Sequence, residues 1–287
     1  MKRVLITGIR GFVGRNLVES LGDSFSITGI DLADGLDLTD PAIFHRIEGS
    51  FDAVIHLAGL SFVPDSYDRP FQFHRVNFNA ALNVAEFCRH RSVPKLIYPN
   101  TYVYGQPQRL PVDETHPVAL PSPYHKSKQL AEDLLLGYFG PTQTQVVALR
   151  VFNLYGPYQG DRFLIPQLLK EARSIGQVTV RDLEPRRDFL HIKDFAQLVR
   201  LILETDAAVS GVYNVGTGQS HSVAELVAML EELLSRPLHV RNLNERRPNE
   251  IMECYADITK ARRVFGWNPE LTLEAGLRDL IHSSDHV

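Results

Sequence analysis

Cysteine is scarce in this chain: Cys88 and Cys254 are the only two among 287 residues. Two thiols so distant in sequence offer neither the ligand spacing of a zinc site nor a disulfide framework, so no metal centre is expected and a reduced, cytoplasmic setting fits. An excess of basic residues is also missing. The formal charge of -4 and the pI near 6.3 argue against nucleic acid or a membrane surface as partner, because both favour basic faces. No apolar run approaches the ~20 residues that span a bilayer. The opening MKRVLITGIRGFVG leads straight into a glycine-rich turn and is not expected to be a signal peptide. Internal repeats and low-complexity segments are absent.

What the chain does have is alternation. With 44% hydrophobic and 22% charged residues it has the composition of a soluble globular protein. Short apolar runs at 3–7, 26–30, 52–58, 95–99 and 146–151 read as strands buried on both faces. Between them lie helical patterns at 11–21, 41–47, 70–90 and 123–139. Strand and helix in strict turn predict an α/β fold with a doubly wound parallel sheet. After about residue 152 the texture changes to helices at 163–174, 193–204, 223–234 and 273–282, with short strands at 178–180 and 212–215. The expected division is 1–152 and 153–287, the second part being a smaller lobe interleaved with the first through the strand 212–215.

TGIRGFVGRNL lies between the first strand and the first helix. Gly8, Gly11 and Gly14 let the backbone turn sharply and approach a pyrophosphate, while Phe12 and Val13 open a helix whose positive end faces it. Asp31 ends the second strand, where a carboxylate accepts bonds from the adenosine ribose hydroxyls and repels a 2′-phosphate. NAD is therefore expected over NADP, although Arg10 in the turn could tolerate a phosphate. Asp37 and Leu38 suit the adenine amino group, and Leu57, Ala58 and Gly59 of HLAG line the cofactor with backbone.

Within SPYHKSKQLAEDLL, Tyr124 and Lys128 are one helical turn apart and project the same way. A phenol ordinarily titrates near pH ~10; a neighbouring ammonium and a positive nicotinamide ring would lower that value. Tyr124 could then exchange a proton with a sugar or alcohol oxygen, while Lys128 holds the ribose and tunes the phenol.

Together with TGIRGFVG, Asp31, HLAG, the VYG of TYVYGQP, YHKSK, RVFNLYGP, RRDFLHIKD and the tail ADITKARRVFGWNPELTLEAGLRDLI, this pair makes the chain resemble the extended short-chain dehydrogenase/reductase family. These are NAD-dependent epimerases and dehydratases that modify nucleotide sugars. The resemblance covers nearly the whole chain. It implies a Rossmann domain with a C-terminal lobe that grips a nucleoside diphosphate-sugar. It makes Asn153 the contact to the substrate phosphates and Arg187 and Arg247 the diphosphate clamp, a role for which a planar guanidinium is suited. His191 is expected to pack inside the lobe. Family members often form a homodimer through a four-helix contact, for which Phe78, Leu82, Ala85, Leu130 and Leu134 could supply a face or could pack on the sheet.

One position departs from the family. A Ser or Thr normally stands three residues before the Val of VYG and bonds the reacting oxygen. Here that position is Asn100, followed by Thr101 and Tyr102. An Asn amide donates a hydrogen bond but cannot pass a proton on, so either Tyr124 acts alone, or Thr101 reaches in from a shifted loop, or activity is weakened. Neither Thr101 nor Tyr102 is an acid, which disfavours dehydration or decarboxylation unless Asp113 or Glu114 swings in. The reading that follows is a nucleotide-sugar epimerase working at C4. The alternatives are a 4-ketoreductase, because the segment 56–70 looks somewhat like GDP-4-keto-6-deoxymannose reductases, and an NAD-binding sensor or scaffold.

Overall fold

The computed structural model describes residues 1–140, 143–245 and 250–282; the expected clamp residue Arg247 lies outside the described residues. Strands β1 (Arg3–Thr7), β2 (Ser26–Ile30), β3 (Ala53–His56), β4 (Lys95–Thr101) and β5 (Gln145–Val151) alternate with helices α1 (Phe12–Leu21), α2 (Val63–Asp68), α3 (Pro70–Arg91) and α4 (Pro123–Tyr138). They form a parallel sheet in the spatial order β2-β1-β3-β4-β5, and the strand Gly211–Val215 adds to β5 as the sixth member. The sheet winds outward in two directions from β1 and β3, and a sheet of this kind takes its ligand in the crevice beyond the carboxyl ends at that switch point.

The pleat sorts the core. Val4 and Ile6 of β1 face Leu17 and Leu21 of α1 and Phe195 and Val199 of the helix Ile192–Glu204. Leu5 points the other way, into a layer with Val54, Leu96, Ala81, Val84 and Leu135 under α3 and α4. A third core, around Leu168, Val178, Leu226 and Leu277, holds together the helices Leu164–Ser174, Val223–Leu233 and Leu273–His282.

Three expectations need correction. β2 is not buried on both faces: it is the edge of the sheet, and only Ile30 at its end is fully covered. The segment expected as a helix at 41–47 is the 3₁₀ stretch Pro41–Arg46, whose start is fixed by Asp40 accepting from the Ala42 N–H at 2.9 Å. The elements α2, Thr259–Phe265, Asn153–Tyr155, Arg186–Arg187, Phe189–His191, His221–Ser222, His239–Asn242 and Glu253–Cys254 were not expected; most are two to four residues long, too short to show a period. Among the described residues no helix is long and apolar enough to cross a membrane, and no cluster of metal-ligating side chains occurs.

Candidate active site

At the end of β1 the chain turns at Gly8, whose φ of 71° is costly for any residue with a side chain; a Cβ there would also meet the Ala58 backbone nitrogen at 2.8 Å. A Cβ on Gly14 would come within 2.5 Å of the Gly8 and Ile9 carbonyl oxygens. Gly11 is the N-cap of α1 and brings no capping side chain, so the N–H groups at Phe12, Val13 and Gly14 are offered to a ligand. The turn is thus a backbone cradle that side chains would fill, and it fits a pyrophosphate.

Asp31 braces this cradle: Oδ2 accepts from the Arg10 N–H at 2.9 Å and Oδ1 from the Ala33 N–H at 3.0 Å. The Arg10 side chain is held by Asp34, with Nε 3.1 Å from Oδ2. The cation that could have favoured a 2′-phosphate therefore already faces a carboxylate. The Asp37 carboxylate accepts from the Thr39 N–H at 2.9 Å, and Leu38 is buried. From the neighbouring β3, Leu57 and Ala58 are tied to Thr7 by bonds of 3.2 Å each, and a Cβ on Gly59 would meet Asn77 Oδ1 at 2.8 Å. Asn77 also bonds Leu60 N–H at 2.8 Å and Ser127 Oγ at 2.8 Å, stitching this loop to α4. Its signal in the sequence was a polar residue on the buried stripe of α3.

α4 starts at the N-cap Ser122, whose hydroxyl accepts from the His125 N–H at 3.3 Å, with Pro123 in the first turn. This fixes where Tyr124 and Lys128 point. Lys128 Nζ lies 4.1 Å from the Tyr98 ring centroid and donates to the Pro99 carbonyl at 2.9 Å. Burial lowers its pKa to about 7, against the opposing pull of Glu132. Burial also pushes Tyr124 up to about 12; the side chain of Thr101, within hydrogen-bonding reach, is what counters it. The lowering expected from Lys128 is therefore not a property of the protein alone, because desolvation of the phenolate wins. Beneath them His56 is fully enclosed, its Nδ1 2.8 Å from Thr7 Oγ1, and burial drops its pKa to about 3.

At the position that departs from the family, Asn100 is 4% exposed; its amide donates to Glu132 Oε2 at 2.6 Å and accepts from the Thr101 N–H at 2.8 Å. It lies on the face of β4 that carries Leu96 and Tyr98, towards α3 and α4. Neither Asp113 nor Glu114 swings in. Asp113 is held by Thr115 and Arg109, which lower its pKa to about 2, and Glu114 accepts from the Asn214 N–H at 2.8 Å.

Residues 4–216 match the model of the NAD dependent epimerase/dehydratase family. The chain belongs to that family. It is 30% identical over 298 residues to UDP-glucose 4-epimerase of Bos taurus, an alignment covering 95% of this chain and 85% of the relative. The solved UDP-glucose-4-epimerase of Stenotrophomonas maltophila, with bound NAD and formylated UDP-arabinopyranose, superposes with a TM-score of 0.90 at 25% identity, covering 98% of this chain and 97% of that one. RMD from Pseudomonas aeruginosa, complexed with NADPH, superposes with a TM-score of 0.89 at 28% identity, covering 98% of both chains.

In this member of the epimerase/dehydratase family the second half brings Asn153 and Arg187 together around Asp188. Asn153 Nδ2 donates to the Asp188 carbonyl at 3.0 Å. Arg187 donates to the Ile251 carbonyl at 2.5 Å and ion-pairs with Glu250. Asp188 is a buried strut whose carboxylate accepts from the Thr217, Gly218 and Ala256 N–H groups at 2.7, 3.0 and 3.1 Å. His191 is enclosed against Tyr155, as expected of a packing residue, and burial lowers its pKa to about 4.

Proposed function

We propose that the chain is an NAD-dependent nucleotide-sugar 4-epimerase, with residues 1–152 holding the dinucleotide and 153–287 forming mainly the sugar-nucleotide lobe. The observation that carries this reading is that α4 sets Tyr124 and Lys128 one turn apart beside the carboxyl end of β4, where Lys128 Nζ donates to the Pro99 carbonyl, two strands along from the glycine cradle. Gly8, Gly11, Phe12, Val13 and Gly14 receive the pyrophosphate, Asp31 the ribose hydroxyls, and Asp37 with Leu38 the adenine. Leu57, Ala58 and Gly59 line the far end. When bound, the nicotinamide would supply reversible hydride chemistry at the sugar C4. Tyr124 takes the proton from the C4 hydroxyl and gives it back, and Thr101 bonds the same oxygen. Lys128, freed from the Pro99 carbonyl, holds the ribose and favours the phenolate that burial opposes. Asn153, Arg187 and Arg247 grip the diphosphate, with phosphate replacing Glu250 on Arg187.

The carboxylates of Asp31 and Asp34 at the ribose end support NAD over NADP. The RMD structure holding NADPH keeps the 4-ketoreductase as the second reading. Mass spectrometry of nucleotides released on denaturing the purified protein separates the two. Retained NAD with interconversion of UDP-glucose and UDP-galactose supports the epimerase; an empty protein that prefers NADPH moves the assignment to the reductase. A homodimer through α3 and α4 fits the exposure of Phe71 and Leu130, whereas Ala85 is fully enclosed against the sheet and belongs to no such face. Sedimentation velocity decides it.

A further inference from the structure

The Lys128 ammonium is held by a carbonyl and a ring, not by a carboxylate. Nζ donates to the Pro99 carbonyl at 2.9 Å and stands over the Tyr98 ring, 4.1 Å from its centroid. The acid one turn further along α4, Glu132, is already taken. Arg150 Nη2 lies 2.6 Å from its Oε1, and Asn100 Nδ2 lies 2.6 Å from its Oε2. The ring itself is fixed. Tyr98 is 1% exposed, its hydroxyl donates to the Lys128 backbone carbonyl at 3.4 Å, and it stacks on His56 with centroids 5.8 Å apart at 24°. His56 is anchored through Nδ1, 2.8 Å from Thr7 Oγ1, and that oxygen accepts from the Ala58 N–H at 3.2 Å. A row of contacts thus runs from the loop beside the glycine cradle, through His56 and Tyr98, to the ammonium.

We propose that Tyr98 is a positioning residue: its ring face is the platform on which the Lys128 ammonium rests, and it keeps that charge in place while Nζ exchanges the Pro99 carbonyl for ribose hydroxyls. The negative face of an aromatic ring attracts a cation within about 6 Å of its centroid, most strongly where water is excluded. The attraction is spread over the whole face, so it survives the short swing that the exchange demands. A leucine would fill the same place in the apolar layer of Val54, Leu96 and Leu135 but would offer the ammonium nothing. The other groups around Lys128 leave this task open. Burial opposes the ammonium and Glu132 favours it, with Arg150 of β5 matched to Glu132. Burial keeps Tyr124 on α4 and Tyr98 on β4 as neutral phenols, and His56 on β3 neutral. α3 brings Phe73 and Asn77, neither of which titrates. The inference rests on the reading of Lys128 as the residue that holds the ribose and favours the Tyr124 phenolate.

The test uses the full chain saturated with NAD+ and labelled with carbon-13 at lysine Cε, the Lys128 signal being assigned by its loss in Lys128→Arg. Its pKa is compared in wild type, Tyr98→Leu, Tyr98→Phe and the mono-, di- and trifluorinated forms of Tyr98→Phe made with an expanded genetic code. Fluorine drains negative charge from the ring face while size and apolarity hardly change, so packing is held constant and the cation–π attraction alone varies. The Lys128 pKa should stay near wild type in Tyr98→Phe and fall stepwise along the fluorinated series, by about one unit in all, with the melting temperature unchanged. Tyr98→Leu should lower it at least as far; should that variant fail to fold, the fluorinated series carries the comparison. A Lys128 titration flat along the series, or a fall as large in Tyr98→Phe as in its trifluorinated form, overturns the proposal. Full turnover of UDP-glucose by Lys128→Met would overturn the reading of Lys128 instead, a result independent of what the ring series does.

Discussion

Tyr124, Lys128 and Glu132 follow one another at one-turn intervals along α4, yet the two ends of that row are built on opposite electrostatic terms. At the far end, Glu132 and Arg150 are both buried and matched to each other, and their remaining bonds go to Asn100, Gln129 and the Tyr104 ring. At the near end burial is the leading influence on Tyr124 and Lys128, moving the pKa of one up to about 12 and of the other down to about 7, with Glu132 opposing the shift at Lys128. A satisfied buried pair fixes geometry and is costly to break. An unsatisfied pair is ready to change protonation when a ligand arrives. The far end therefore serves stability and the near end serves chemistry.

The sharpest way to break this comparison is Tyr124→Phe, which should cut kcat by about 10⁴-fold, the upper end for a general acid/base, while leaving the urea midpoint and NAD content unchanged; a loss of stability instead would mean the near end is structural. Glu132→Ala probes the far end and should cost roughly 3–5 kcal/mol in equilibrium unfolding, since Arg150 is left buried and unpaired. A variant as stable as wild type would show that the pair organises nothing.

Acid titration sharpens the contrast further. The folded pKa of His56, about 3, lies below its ordinary 6.5, so the unfolded chain binds the proton first. Its contribution is complete above pH 6.5 and is lost as pH falls towards 3, with a slope of about 1.4 kcal/mol per pH unit for one proton. His125 and His191, both lowered to about 4 by burial, add to the slope. Unfolding measured from pH 7 to pH 4.5 should show His56→Gln flatter by one proton; an unchanged slope would remove His56 from the buried set. The smallest effect belongs to the exposed corner. Asp34→Asn frees Arg10 and should raise NADP+ affinity by about fivefold, the worth of one exposed charge pair, and calorimetry showing equal gains for NAD+ and NADP+ would argue against any role in discrimination.

Much of this was readable along the chain. Strands β1 and β2 and the helix Leu273–His282 fall where their periods and punctuation put them, and the glycine turn, Asp31, Tyr124 and Lys128 stand in local patterns whose spacing is itself the physics. The partnership of Glu132 with Arg150 was not visible, although an acid inside the apolar run LAEDLLL, one turn beyond Lys128, was its signal. Nor was the capture of the Asn100 amide by Glu132, because the two meet only when α4 packs against β4.

The amino-acid sequence alone determined the parallel sheet, the phosphate cradle and the tyrosine–lysine pair, since each depends on residues within a few positions of one another. Only the tertiary structure decided that Asn100 is bound by Glu132, that Arg10 is already matched by Asp34, and that burial holds the phenol protonated until something else enters. Those outcomes depend on distance through space and on exclusion of water, and both are set when strands and helices far apart in the chain close on one another.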